Sequence, residues 1–166
     1  NIPPHNLGEV IDGVCCLIDD PEAGLDKLGL CVKGPDFPTG GIILGRAGIR
    51  AAYATGKGKI TVRARTEIEE YKEGRFRIVI SELPYQVNKA RLVEHIAELH
   101  KDKRIEGITD IRDESDREGM RVVIEMRKDI NPQVMLNQLF KLTEMQENFS
   151  VNMLALVDNQ PKILSL

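Results

Sequence analysis

Apolar residues recur at helical spacing near the start of the chain and predict an amphipathic helix that ends at about Asp19. The apolar stripe consists of Leu7, Val10, Ile11, Val14, Leu17 and Ile18. Asn6 precedes the stripe at the position of a helix cap. A second short helix is predicted over residues 24–32. Together the two segments predict a helical lead-in over residues 1–33.

Alternation of apolar and polar residues predicts a β-hairpin in the middle of the chain. Residues 60–71 alternate as one long strand, residues 72–75 form the turn, and residues 76–80 return. In such a strand Arg63 and Arg65 project from the same face, because side chains repeat every second residue. Upstream, the sequence predicts a short buried strand at 42–44, a brief helix at 46–53 and a flexible basic turn at 55–59.

Strand and helix patterns alternate through the second half of the chain. Strands are predicted at 108–111 and 120–126, helices after Asn88 and after Asn131, and a final hairpin at 149–157 and 162–166. The helix after Asn88 is expected to turn five residues inward: Leu92, Val93, Ile96, Ala97 and Leu99.

This order of elements predicts an α+β fold, with a mainly antiparallel β-sheet covered by helices and an N-terminal helical lead-in. We expect two parts, the lead-in over residues 1–33 and an α+β domain over residues 34–166.

Composition favours a folded cytoplasmic domain. The chain has 166 residues, of which 42% are hydrophobic and 30% charged. No apolar run is long enough to span a bilayer, so we expect no membrane association. The three cysteines are odd in number and two are adjacent, which favours a reducing compartment over a disulfide framework. The first residues resemble neither a signal peptide nor a translation start, and we interpret them as a domain boundary.

Charge is distributed unevenly, although the net charge is only −3. Between Phe37 and Thr66 there is no acidic residue. The same stretch contains the basic residues Arg46, Arg50, Lys57, Lys59, Arg63 and Arg65. Such a stretch fits sequence-independent contacts with nucleic-acid phosphates. The residues alone favour the alternative, a solvated basic face that pairs with the acidic residues Glu67, Glu69 and Glu70.

Four motifs resemble the breakage-reunion subunit, the one designated A, of bacterial type IIA DNA topoisomerases. In chain order they are NIPPHNL at 1–7, GPDFPT at 34–39, LPYQVNK at 83–89 and RDESD at 112–116. The run at 85–91 is more similar to the gyrase branch of this family than to the topoisomerase IV branch. The resemblance covers most of the chain and implies the region called the tower, between the winged-helix domain and the coiled-coil arms.

The resemblance implies that the chain supports and bends the cut duplex, the G-segment, during ATP-dependent strand passage and supercoiling. The family's nucleophile is a tyrosine in an Arg-Tyr-Thr context, which matches none of Tyr53, Tyr71 and Tyr85. We therefore expect an enzyme part without a catalytic residue of its own. The alternatives are the same region of a topoisomerase IV A subunit, or a structural scaffold that makes little direct contact with DNA.

The resemblance also implies the partners. These are double-stranded DNA, a second A subunit and the gyrase B subunit, whereas the isolated chain is expected to be a monomer. Mg²⁺ and ATP are expected to bind through the B subunit, so we predict no cofactor and no metal in this chain.

Three further basic residues join the predicted DNA contacts. Lys89 and Arg91 stand at a helix start, where free N–H groups favour an anion, although an ordinary N-cap gives the same pattern. His5 is placed either to donate to a phosphate or to stabilise the turn after Pro3-Pro4.

Acidic residues cluster at Asp113, Glu114, Asp116 and Glu118. Their spacing does not fit an EF-hand loop. We therefore favour a solvated turn, or ion-pair partners for Arg112, Arg117 and Arg121, over a Mg²⁺ site.

Overall fold

The computed structural model describes all 166 residues and contains five helices and nine strands. In chain order they are α1 (Leu7–Asp19), α2 (Leu25–Cys31), β1 (Ile42–Ile43), α3 (Ala47–Thr55), β2 (Lys57–Arg63), β3 (Arg65–Lys72), β4 (Arg75–Glu82), α4 (Lys89–Lys101), β5 (Ile108–Asp113), β6 (Val122–Met126), α5 (Pro132–Leu142), β7 (Gln146–Asn152), β8 (Leu154–Val157) and β9 (Gln160–Ile163). The fold is α+β, as the order of patterns predicted. No helix combines the length and the apolar character needed to cross a bilayer.

The chain divides into two compact units. The first unit comprises Asn1–Pro38, Ile43–Thr61 and Asn148–Leu166, and the second comprises Thr39–Ile42 and Val62–Glu147.

Helix caps lie where the sequence predicted them. The side chain of Asn6 accepts a hydrogen bond from the N–H of Glu9 at 3.1 Å, so it caps α1. Asn88 and Asn131 accept from the first turns of α4 and α5 in the same way. Each cap satisfies backbone donors that have no partner within the helix.

The second unit contains an antiparallel sheet with the strand order β3-β4-β6-β5. Ile78 pairs with Ile124 and Ile80 with Val122 across its central strands, and all four are completely buried. Helices α4 and α5 cover this sheet with a row of buried residues that includes Leu92, Ile96, Leu99, Met135 and Leu139. One apolar core therefore joins the sheet to its two helices.

The predicted long strand over residues 60–71 is wrong, because the chain leaves the ladder at Ala64. The N–H of Ala64 donates to the carbonyl of Met145 at 2.7 Å, and its methyl group is buried in the core. Strand β2 pairs with β1 and β7, whereas β3 pairs with β4. Arg63 and Arg65 therefore end and begin two different strands, rather than sharing one strand face.

The prediction of a flexible basic turn at 55–59 is also wrong, because residues 57–59 belong to a strand. Gly56 adopts a left-handed conformation with φ of 82° and ends α3, and β2 begins at Lys57. Strand β1 is exposed rather than buried, since Ile42 retains 40% of its surface. Ala97 likewise faces solvent instead of the core.

The end of the chain forms a hairpin of β8 and β9, as predicted, around Asp158 and Asn159. Both turn residues have positive φ, of 52° and 62°, which suits the twist of a tight hairpin. The earlier residues of the predicted strand belong to β7, which pairs with β2 in a different sheet.

Candidate nucleic-acid interface

Four cations of the acid-free segment lie in the first unit without a carboxylate partner. Arg46 directly precedes α3, Arg50 lies within it, and Lys57 and Lys59 belong to β2. All four are exposed. None takes part in any ion pair of the structure. Their charges are therefore not neutralised within the protein.

Two glycines allow the helix and the strand that carry these cations to pack closely together. A Cβ added to Gly48 would overlap the carbonyl of Lys59, and one added to Gly58 would lie 2.7 Å from the carbonyl oxygen of Gly48. The backbone of α3 thus rests directly on β2. Because Gly48 is about half a turn from Arg46 and Arg50, both arginines lie on the opposite face of the helix.

Arg63 is half-buried in the second unit and is held by neutral groups. Its Nε and Nη2 both donate to Oε1 of Gln146, at 3.0 and 2.7 Å. Its guanidinium lies 4.3 Å from the centre of the Phe140 ring. These contacts orient the guanidinium without neutralising it.

Arg65 has an acidic partner. Its Nε donates to Oε2 of Glu82 at 3.2 Å, and the same oxygen accepts from the N–H of Gly41 at 2.7 Å. The Gly41 hydrogen bond, followed by Arg65, lowers the pKa of Glu82. Arg65 and the loop at Gly41 are therefore joined through the carboxylate of Glu82.

Lys89 at the start of α4 is also paired. Its Nζ lies 2.8 Å from Oδ2 of Asp113 and donates to Ser115 at 3.3 Å. Lys89, and then Ser115, lower the pKa of Asp113 to about 2. Arg91 is exposed and forms no ion pair, while its backbone N–H donates to the Asn88 cap at 3.0 Å.

His5 lies within the first unit between a carbonyl and a phenol. Its Nδ1 is 2.8 Å from the carbonyl oxygen of Pro3, which can only accept, so Nδ1 carries a proton. In the neutral ring Nε2 then accepts from the hydroxyl of Tyr53 at 2.6 Å. Burial, and then the charge of Glu9, raise the pKa of Tyr53 to about 12. These bonds agree with the turn-stabilising alternative for His5.

Glu114 of the acidic cluster belongs to an ion-pair network in the second unit, and Asp113 pairs with Lys89, whereas Asp116, Glu118 and Arg117 form no ion pair. Arg112 contacts three carboxylates, Asp110 at 2.8 Å, Glu125 at 2.7 Å and Glu114 at 3.1 Å. Nε of Arg121 lies 3.0 Å from a carboxylate oxygen of Glu114, and its Nη2 lies 3.4 Å from one of Glu69. Arg121, and then Arg112, lower the pKa of Glu114. No three His, Cys, Asp or Glu side chains converge in a geometry that would hold a metal ion.

The sequence did not reveal the neighbours of Arg63. Gln146 is 83 positions away along the chain, and Phe140 looked like one of several apolar residues of α5. No local pattern marks an amide that orients an arginine, because only the pairing of β2 with β7 brings them together.

Comparison with known proteins identifies the family of this chain. The family model for the A subunit of DNA gyrase/topoisomerase IV matches residues 1–166. The chain therefore belongs to this family, as the four motifs predicted.

The relatives that we compared with this chain are DNA gyrase A subunits. It is 66% identical over 166 residues to the DNA gyrase A subunit of Clostridium acetobutylicum, and the match covers 100% of this chain and 20% of that relative. It is 61% identical to the DNA gyrase A subunit of Halalkalibacterium halodurans, again with 100% of this chain and 20% of the relative covered. For the DNA gyrase A subunit of Pseudomonas aeruginosa the identity is 58%, with 100% and 18% covered. The chain thus spans about a fifth of the length of these relatives.

Proposed function

We propose that this chain is the tower region of a DNA gyrase A subunit, where it supports and bends the cut duplex by contacting phosphates. The observation that carries the proposal is the set of cations without carboxylate partners in a segment that contains no acid. Arg46, Arg50, Lys57 and Lys59 are exposed on a rigid frame, and Arg63 is oriented by neutral groups. Phosphate contacts of this kind fix the position of a duplex without reading its sequence.

The proposed parent enzyme is an ATP-dependent type IIA topoisomerase that cuts and reseals DNA in the cytoplasm. We assign its nucleophile to a part outside these residues, and its Mg²⁺ and ATP to the B subunit. A second A subunit completes the assembly. The support for these assignments is membership of the family together with the names of the relatives.

The nine residues predicted to contact DNA differ in the bonds that they already form within the chain. Arg46, Arg50, Lys57, Lys59 and Arg63 form no ion pair with a carboxylate, and neither does Arg91, although its charge helps to lower the pKa of Glu144. The remaining three, Arg65, Lys89 and His5, already bind other groups of the protein. We place these three in supporting positions beside the duplex.

The test is salt-dependent DNA binding by the full-length subunit, compared with its Lys57→Gln/Lys59→Gln variant. Each lost phosphate contact lowers the slope of log K against log salt by about 1, so the double variant should lose about 2. Lys33→Gln/Lys162→Gln removes two exposed lysines of the same unit and should leave the slope unchanged. An unchanged slope in the Lys57/Lys59 variant would favour the scaffold alternative instead.

Bending is measured separately from binding. A 30-base-pair duplex with dyes at its ends reports the distance between the ends when the subunit binds at saturating concentration. The proposal expects a longer end-to-end distance in the Lys57→Gln/Lys59→Gln variant, because fewer phosphate contacts offset the elastic cost of the bend. An equal distance at saturation would contradict a role in bending.

A further inference from the structure

A small cavity of the second unit is lined by hydrogen-bond donors and one aromatic ring. Its volume is about 290 Å³, and its walls are Arg63, Asn137, Phe140, Lys141 and Gln146. None of the five carries a carboxylate, and two carry a positive charge. A water molecule takes up about 30 Å³, so the cavity has room for a group larger than water.

The side-chain acceptors of the cavity are largely engaged within the protein. Oε1 of Gln146 accepts two hydrogen bonds from Arg63, at 3.0 and 2.7 Å. Oδ1 of Asn137 accepts from Nε2 of Gln133 at 3.0 Å. The groups that remain free on these side chains are therefore mainly donors: the Nη1 group of Arg63, the amide nitrogens of Asn137 and Gln146, and the ammonium of Lys141, beside one lone pair on Oδ1 of Asn137.

The guanidinium is ordered before any ligand arrives. It lies 4.3 Å from the centre of the Phe140 ring and makes two bonds to one oxygen, so its plane is fixed. A donor that is already oriented loses little conformational entropy on binding. Lys141 is exposed at the mouth of the cavity and supplies a second charge on a flexible stem.

We infer that this cavity binds a phosphate group, with Arg63 and Lys141 as charged donors and Asn137 and Gln146 as neutral donors. The non-bridging oxygens of a phosphodiester are pure acceptors, and a free phosphate ion at neutral pH presents mainly acceptors, so both match a lining made mainly of donors. A phosphate of the DNA backbone and a free phosphate ion share this chemistry. The DNA form of the inference rests on the proposed function, whereas binding of the free ion does not.

The test uses two single variants of the full-length subunit. Asn137→Asp keeps the oxygen that accepts from Gln133 but replaces the free donor by a negative charge. Lys141→Gln removes the second charge from an exposed position. Lys101→Gln, an exposed lysine on α4 of the same unit, is the matched control.

Affinity for inorganic phosphate is measured by the rise in unfolding temperature, with chloride as the reference at equal ionic strength. The dissociation constant should increase roughly tenfold or more in Asn137→Asp, and by a smaller factor in Lys141→Gln, since charge-assisted hydrogen bonds are lost. The same proteins are titrated with a 30-base-pair duplex across salt, where Lys141→Gln should lower the slope by about 1.

The two arms separate the sources of the phosphate. Loss of phosphate affinity together with a lower DNA slope identifies a contact with the DNA backbone. Loss of phosphate affinity with an unchanged DNA slope identifies a site for the free ion and leaves the DNA proposal to the Lys57/Lys59 experiment. Phosphate affinity equal to that of Lys101→Gln in both variants would overturn the inference, even if the duplex still binds.

Discussion

Arg63 and Arg65 show how much of an arginine's role is decided by its neighbours. The two are separated by one residue, but Arg63 is held by an amide and a ring, whereas Arg65 pairs with Glu82. Sequence alone identified both as basic residues in an acid-free stretch. It could not assign their partners, because Glu82 and Gln146 reach them through strand pairings.

Asp113 offers a test of pH dependence at the scale of a residue. Because Lys89, and then Ser115, lower its pKa to about 2, these interactions stabilise the fold above the ordinary carboxyl pKa and are lost as pH falls towards 2. Asp113→Asn should lower the free energy of unfolding by no more than about 1 kcal/mol at pH 7, since the pair is partly exposed. That difference should shrink between pH 5 and pH 2, as followed by urea unfolding.

Lys89→Met provides the control through a double-mutant cycle. Once Lys89 is removed, Asp113→Asn should have a much smaller effect at pH 7. An equal effect in both backgrounds would mean that Asp113 acts through Ser115 instead of through the ion pair.

At the scale of the element, the packing of α3 against β2 depends on two glycines. Gly48 lets the helix backbone contact β2 at Lys59, and Gly58 makes the reciprocal approach. The sequence predicted the helix and the neighbouring basic residues, but it placed Gly58 in a flexible turn. The close approach was not visible, because it depends on which strand the helix packs against.

Gly48→Ala should therefore destabilise the chain, although alanine favours a helix more than glycine does. The added methyl group must push α3 away from β2, which costs roughly 1–3 kcal/mol, as overpacking does elsewhere. Gly29→Ala in α2 is the matched control, because nothing lies within 4 Å of its Cβ position. The control should be stabilised by up to about 1 kcal/mol, as measured by denaturant unfolding.

The proposed phosphate contacts further predict that Gly48→Ala weakens DNA binding by the full-length subunit, because Arg46 and Arg50 move with the helix. Wild-type stability in the variant would show that α3 is not seated on β2 as described.

At the scale of the whole molecule, some apolar residues are buried in a core and others are exposed. Those of the second unit form one core around the sheet, where Ile96 has no exposed surface. Those of the α1 stripe remain between 39% and 73% exposed in this chain. The helical period predicted both helices equally well, because periodicity defines a face and not what covers it.

Alanine substitutions should separate these two classes. In the 166-residue chain, Ile96→Ala should cost about 2–5 kcal/mol, since it leaves a cavity in the core. Ile18→Ala should change stability by less than about 0.5 kcal/mol, since the side chain is 72% exposed. Chemical denaturation measures both, and a large loss for Ile18→Ala would show that the stripe is buried in solution.

The sequence by itself determined the caps, the helices, the hairpin turns, the fold class and the family, because each depends on residues close together in the chain or on motifs read directly. Only the tertiary structure decided where the long strand breaks, which cations are paired and which donors surround Arg63. Those features depend on pairings across many residues, such as Ala64 with Met145 and Arg63 with Gln146. A local pattern carries no information about a partner that the fold brings in from a distant part of the chain.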